Sequence, residues 1–253
     1  MKKTFFCFLL SVLFVFNPLA NATLWDRGGG LIYDDALNMT WLQDANYVNS
    51  TGYDDLLYGY DTGGQIKVED ALIWAENLEY YDPVRKVTWS NWRLPKTMPI
   101  NGVSYNYTYS YDGSADFGYN ISAPGSAFPY STNSEMAYMF YNNLGNIGDL
   151  DVNGDPVPNP GLENTSPFLN LMEALYWSET PMEQRENYYW TFGFYDGYQQ
   201  SDGIADQLNR YAWAVMDGDV ACSYKHVPEP ATMLLLGCGL LGLIGFRRKF
   251  RKG

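Results

Sequence analysis

The chain has 253 residues, with 16 Lys and Arg, 29 Asp and Glu, three cysteines and one histidine. All 29 acids lie between Leu24 and Glu229, a span that holds only nine of the basic residues and so carries a net charge of −20. So acidic a body excludes a nucleic-acid binder, whose phosphate contacts need clustered Lys and Arg, and its eight Trp and 22 Tyr argue against disorder.

Lys2 and Lys3 precede an apolar run from Phe5 to Phe16. Pro18 breaks the run, and Ala20-Asn21-Ala22 supplies small residues for cleavage. The order predicts a signal peptide over residues 1–22, and the run is short for a membrane span. Leu31-Ile32-Tyr33 and Met39-Thr40-Trp41-Leu42 read as two strands around a polar turn. Residues 46–64 are rich in Gly, Asp, Asn and Tyr and read as a loop. Val68, Ala71, Leu72, Ala75 and Leu78 then share one helical face, with Glu69 and Asp70 in the first turn. Trp92-Arg93-Leu94-Pro95 predicts a strand end or turn, because Pro95 favours an extended Leu94. Arg93 is expected to form a structural ion pair with a buried or half-buried carboxylate.

Residues 101–130 predict a long loop or a two-stranded insertion. Tyr105, Tyr107, Tyr109 and Tyr111 alternate, which in a strand would set four rings on one face. Such a face either packs on the domain or forms an aromatic platform for sugars. Thr132-Asn133-Ser134-Glu135 has the spacing of a capping box, ahead of the apolar stripe Met136, Met139, Phe140 and Leu144 and a stop at Gly145. Asp149, Asp151, Asn153 and Asp155 place oxygens at alternate positions, with Gly154 sixth, like the first half of a calcium loop. The twelfth position is Pro160 rather than Glu, and an ordinary acidic loop has the same composition. Calcium is the one cofactor that this pattern admits.

Ser166-Pro167 predicts a third helix, with Phe168, Leu171, Met172 and Leu175 on its apolar face. Strand-like runs follow at residues 175–178, 188–195 and 211–216. Asp196-Gly197 suits a hairpin turn. Tyr195, Tyr198, Gln199 and Gln200 flank that turn and are the candidate ligand-binding residues, since a Tyr ring can stack on a sugar while its hydroxyl hydrogen-bonds. Tyr211, Trp213 and Val215 alternate with Ala212, Ala214 and Met216, as in a half-covered strand. Short helices early and antiparallel strands late read as α+β.

Catalysis is not expected. Removal of both ends leaves Cys222 as the single cysteine, so no intramolecular disulfide is expected. The single histidine, His226, stands at the C-terminal end, so a nucleophile–histidine pair and a zinc site both lack members. Carboxylate pairs for a glycoside hydrolase exist, but 29 acids make any pairing uninformative.

At the C-terminus, Val227-Pro228-Glu229-Pro230 precedes a mostly apolar stretch over residues 231–246, which predicts a transmembrane helix. Arg247, Arg248, Lys249, Arg251 and Lys252 form a basic tail that stays cytoplasmic by the positive-inside rule. This three-part end resembles a PEP-CTERM sorting signal, with Pro228, Glu229 and Pro230 as the motif. The resemblance implies processing by exosortase, an integral-membrane protease that cuts near the motif. It implies export, a transient inner-membrane anchor, and release to the cell surface or extracellular matrix of a Gram-negative bacterium that makes exopolysaccharide.

A second resemblance covers residues 24–220, within a domain expected over 23–226. Leu31-Ile32-Tyr33-Asp34, Trp41-Leu42, Ala71-Leu72-Ile73-Trp74-Ala75, Trp92-Arg93-Leu94-Pro95, Ser134-Glu135, Tyr176-Trp177-Ser178 and Tyr211-Ala212-Trp213-Ala214-Val215 follow the order of the Lcl C-terminal domain family. It implies a single C-type-lectin-like fold and association with extracellular polysaccharide. Many members of that family end in a basic run, where this chain has Met216-Asp217-Gly218-Asp219. Sulfated glycosaminoglycans are therefore not expected as ligands, because the acidic body repels polyanions. A neutral or cation-bridged polysaccharide fits better. The alternatives are a self-assembling matrix protein without glycan binding and a secreted glycoside hydrolase.

Overall fold

A computed structural model describes residues 23–203 and 209–223. The predicted signal peptide, Pro228-Glu229-Pro230, the 231–246 helix, the basic tail and His226 lie outside the described residues. Among those described, no helix is long and apolar enough to cross a membrane. Short helices accompany mixed sheets in an α+β arrangement that is mostly β.

The chain opens with β1 (Leu24–Asp26), β2 (Leu31–Asp34) and β3 (Met39–Leu42), joined antiparallel. The β2–β3 hairpin is the predicted one. The Asp34 carboxylate closes its turn, accepting hydrogen bonds from the Ala36 and Leu37 amides at 3.0 and 3.1 Å. Residues 46–64 are not a plain loop, for they hold α1 (Tyr47–Ser50) and α2 (Tyr53–Tyr58). Left-handed Gly52 and Gly59 bracket α2, and a helix of six residues is too short to show an apolar period. Next come β4 (Gln65–Ile66) and α3 (Val68–Glu76). Val68, Ala71, Trp74 and Ala75 form the buried face of α3, while Leu72 and Leu78 pack at its margin. A separate hairpin follows, β5 (Tyr80–Asp82) with β6 (Val87–Trp89).

The 101–130 insertion is irregular except for β7 (Tyr109–Ser110) and β8 (Phe117–Gly118), which pair in parallel. Gly118 is required there, because a Cβ would sit 1.8 Å from the Ser110 carbonyl oxygen. Then α4 (Glu135–Tyr138) continues as a π-helical turn over Met139–Asn143. Met136, Met139, Phe140 and Leu144 are buried as expected, and left-handed Gly145 ends the run. The capping box does not form. The cap residue is Ser134, and no side chain caps the helix.

The predicted third helix is absent. The Ser166–Pro167 peptide is cis, Asn170 has φ +53°, and Leu169 bridges to Asp44. Phe168 inserts between Trp41 and Trp213, at ring distances of 6.4 and 4.7 Å. This tertiary contact outweighs the weak local preference for helix. The chain then forms β9 (Leu175–Pro181), β10 (Tyr188–Gly193), β11 (Gln199–Gly203), β12 (Arg210–Tyr211), β13 (Val215–Asp217) and α5 (Val220–Ser223).

The larger sheet runs β4-β12-β9-β10-β11-β8-β7, and the smaller runs β1-β2-β3-β13. Residues 211–216 are not a half-covered strand. They pass from the larger sheet to the smaller one, and every side chain among them is buried. Trp213 sits at this crossing, 4.5 Å from the Trp41 ring, and donates its indole N–H to the Leu42 carbonyl at 2.7 Å. Tyr176, Phe194, Phe192 and Phe140 extend the same aromatic core.

Arg93 fulfils its expected role. Its guanidinium grips the Glu135 carboxylate with two bonds of 2.8 and 2.9 Å and also reaches Asp217 at 2.5 Å. The Arg93 backbone pairs with Val215 in both directions. Glu135 further accepts the Lys96 amide at 2.7 Å. This explains the missing capping box: the Glu135 carboxylate is turned toward Arg93 and Lys96 rather than back to its own helix. Replacing one member of so enclosed a pair strands the other charge. Arg93→Met is therefore expected to cost roughly 3–5 kcal/mol in urea unfolding, and Arg93→Lys to restore only part, because an ammonium cannot make the paired bonds.

Candidate functional site

The edge of the larger sheet at β7 and β8 brings the 101–130 insertion together with the distant β10–β11 turn. Tyr109 and Tyr111 come from the insertion, Tyr198 from the β10–β11 turn, and Tyr119 from the residues after β8. The Tyr109 ring lies 4.9 Å from Tyr111 and 6.1 Å from Tyr198, and Tyr119 lies 5.1 Å from Tyr198. Tyr109 and Tyr111 are 48% and 41% exposed, whereas Tyr119 and Tyr198 are half-buried. The result is a tyrosine surface whose rings are partly covered.

Buried polar groups fix this surface. The Asn120 side-chain amide donates to the carbonyls of Tyr111 and Leu150, at 2.8 and 2.9 Å. It thereby ties the tyrosine strand to the 149–155 loop. The Tyr141 hydroxyl accepts the Asn120 amide at 3.0 Å and donates to the Gly197 carbonyl at 2.8 Å. The Asp149 amide donates to the Asp196 carbonyl at 2.9 Å. Gly154 packs flat on the Tyr111 ring, where a Cβ would lie 3.0 Å from the nearest ring carbon. Burial, followed by the hydrogen bond that Tyr109 donates to Tyr111, pushes the Tyr109 hydroxyl up to about 12, so it stays neutral. Burial and then Asp196 likewise raise Tyr198.

The other aromatic positions divide in two ways. Tyr105 and Tyr107 do not extend a strand. They stack on buried Trp190 at 5.5 and 6.1 Å, so half of the alternating tyrosines serve packing. Tyr195 is exposed but lines a cleft of about 200 Å³ with Gln65, Glu173 and Arg210. Gln199 is fully buried: it accepts from the Ser134 hydroxyl at 2.6 Å and donates to the Asp116 carbonyl at 2.8 Å. Its side chain is a core strut rather than a surface contact, because its strand faces inward at that position. Gln200 is half-buried on β11 opposite Thr191. Of the four predicted ligand residues, Tyr198 is the one within the tyrosine surface.

The 149–155 loop closes on itself through an antiparallel bridge between Leu150 and Pro156. Asp151 accepts the amides of Asn153 and Asp155 at 2.8 and 3.0 Å, and the Asn153 side chain at 3.3 Å. Two of the four predicted calcium ligands, Asp151 and Asn153, are therefore bonded within the loop. A second concavity, of about 440 Å³, lies between α1 and α3, with Tyr47, Tyr53 and Trp74 as walls and Asn77 and Glu79 at the rim.

The tyrosine surface identifies no family, but the end of the chain carries a known signal. Residues 226–249 match the PEP-CTERM protein-sorting motif. The chain is thus an exosortase-targeted, exported protein, sorted toward the cell surface through its PEP-CTERM end. The match is confined to that end. No curated protein and no solved structure matches the chain.

Burial, and secondarily Asp149, raise the Asp196 carboxyl from 3.8 to about 6. The folded protein therefore holds a proton between about pH 4 and 6 that the unfolded chain has lost, and stability falls as pH rises through that window. Asp196→Asn is expected to raise stability at pH 7 by about 2–3 kcal/mol and to be neutral near pH 4. Urea midpoints at the two pH values check this.

Proposed function

We propose that this is a non-enzymatic surface or matrix protein whose folded part, a lectin-like domain, associates with extracellular polysaccharide after exosortase processing. The observation that carries the reading is the tyrosine surface of Tyr109, Tyr111, Tyr119 and Tyr198. Its rings offer apolar faces to the C–H face of a sugar, and its hydroxyls hydrogen-bond sugar hydroxyls. Its position is braced by Asn120 and Tyr141 rather than left on a free loop, so little order must be gained on binding. The resemblance to the Lcl C-terminal domain family points the same way. The acidic body favours a neutral or cation-bridged glycan over a polyanion. A second reading, self-assembly by protein contacts, draws on Leu56 and Val103, which are 85% and 86% exposed.

Two experiments test this function. Equilibrium binding to neutral and anionic bacterial polysaccharides is expected to be saturable for a neutral member, and Tyr109→Ala and Tyr198→Ala are each expected to weaken it about tenfold, about 1.4 kcal/mol. No binding by a folded chain, with concentration-dependent association instead, would favour self-assembly. Replacing Pro228, Glu229 and Pro230 together by Ala is expected to leave uncut chain in the inner membrane, visible as a larger band on immunoblots of membrane fractions.

A further inference from the structure

The cleft between α1 and α3 is used by neither the tyrosine surface nor the sorting end. At about 440 Å³ it has the size of a small-ligand site, whereas the cleft of about 200 Å³ beside Tyr195 falls below that range. Its aromatic walls are Tyr47 from α1, Tyr53 from α2 and Trp74 from α3. Trp74 is 5% exposed and roots the wall in the core, while Tyr47 and Tyr53 are half-buried. The Tyr47 ring meets the Tyr80 ring edge-on at 5.5 Å, which fixes its place. Among the described residues, neither the Tyr47 nor the Tyr53 hydroxyl has a hydrogen-bond partner. Both are therefore available to a ligand.

The second observation is the charge of the rim. Among the described residues, none that lines the cleft is Lys or Arg, and Glu79 at its edge forms no ion pair. Helix α3 ends at Glu76 with no basic residue in its last turn. The negative end of its dipole thus meets Glu76 and Glu79, with no cation to offset it. The Asn77 side-chain amide donates to the Ile73 carbonyl at 2.8 Å, which leaves its Oδ1 as a further acceptor. Carboxylates also act on both tyrosines: after burial, Asp44 raises the Tyr47 hydroxyl and Asp70 raises that of Tyr53. An anion is repelled from such a cleft, and a purely apolar ligand leaves its rim unused. Aromatic faces beside an uncompensated carboxylate suit an organic ammonium.

We propose that this cleft binds a protonated amino-sugar unit of an extracellular polysaccharide. The ammonium is held by Glu79 and the negative end of α3. The C–H face of the sugar lies on a tyrosine ring, and its hydroxyls reach the Tyr47 and Tyr53 hydroxyls and the Asn77 oxygen. A free polyamine shares the ammonium but has no hydroxyls for these groups. The body of net −20 draws a polymer carrying such units from a distance, and the cleft gives the attraction a specific seat. This site is separate from the tyrosine surface and does not need it.

The test is calorimetric titration of the full chain in detergent, at slightly acid pH, with tetramers of glucosamine and of N-acetylglucosamine. Acetylation removes the charge and keeps the ring. The glucosamine tetramer is therefore expected to bind saturably and at least about tenfold more tightly than its acetylated form. Tyr53→Ala and Glu79→Gln are each expected to weaken its binding about tenfold. Glu79 is exposed, so Glu79→Gln decides the outcome if Tyr53→Ala fails to fold. Asp151→Asn and Tyr109→Ala lie outside the cleft and are expected to bind as the wild type does, which separates the site from general attraction to acid and from the tyrosine surface. The proposal is overturned by absence of a heat from a chain that melts cooperatively, by equal binding of the two tetramers, or by binding that Glu79→Gln leaves intact. Loss of binding in Asp151→Asn also overturns it, as does tighter binding of spermidine than of the tetramer, which would assign the cleft to a free amine. None of these results depends on whether Tyr109 and Tyr198 bind glycan.

Discussion

The Arg93–Glu135 pair is the contact on which the two sheets depend. Arg93 is fixed at its backbone to Val215, at the start of the strand that closes the smaller sheet. Its guanidinium holds Glu135, the first residue of α4, and Asp217, the end of that same strand. Glu135 in turn receives the Lys96 amide, and its neighbour Ser134 donates to Gln199 on β11 of the larger sheet. A single two-pronged ion pair therefore registers a strand of one sheet, a helix start and a strand of the other. Its geometry suits only a guanidinium, whose planar fork matches a carboxylate edge.

Around that frame the protein is rich in aromatic rings, and their surroundings separate core from surface. Trp41, Trp213, Phe168, Tyr176 and Phe194 pack at edge or tilted angles in the interior. Of their polar groups, the Trp213 indole donates to the Leu42 carbonyl and the Tyr176 hydroxyl accepts the Met172 amide, while the Trp41 indole N–H is buried without a hydrogen-bond partner. Tyr109 and Tyr111 end on the open edge of the larger sheet, beyond which no strand lies among the described residues. Hydroxyl-bearing rings in such a place remain in contact with water on one side. That difference in cover turns the same residue type from packing material into an accessible surface.

Some of this was legible in the sequence for physical reasons. The β2–β3 hairpin and α3 follow from apolar periods that match their elements, and the Arg93 ion pair follows from the scarcity of basic residues in an acidic body. The α1 and α2 helices were hidden, because four and six residues cannot display a 3.6-residue period. The stretch after Pro167 misled, since its apolar spacing fits a helix, yet Phe168 is drawn into the aromatic core instead. Residues 211–216 misled in the opposite sense, because alternation marks a half-covered strand only when one face meets water, and here a second sheet covers it.

The sequence alone determined the address of the protein. A sorting end is read linearly, from a motif, an apolar stretch and a basic tail in order, so no fold is needed to recognise it. The sequence alone also determined the acidity of the body. The tertiary structure decided the sites. Tyr109, Tyr119 and Tyr198 meet only because β7, β8 and the β10–β11 turn share one edge, and Gln199 is lost as a ligand contact only because its strand turns it inward. Such contacts join residues far apart along the chain, and their energies depend on burial, which composition and spacing do not encode.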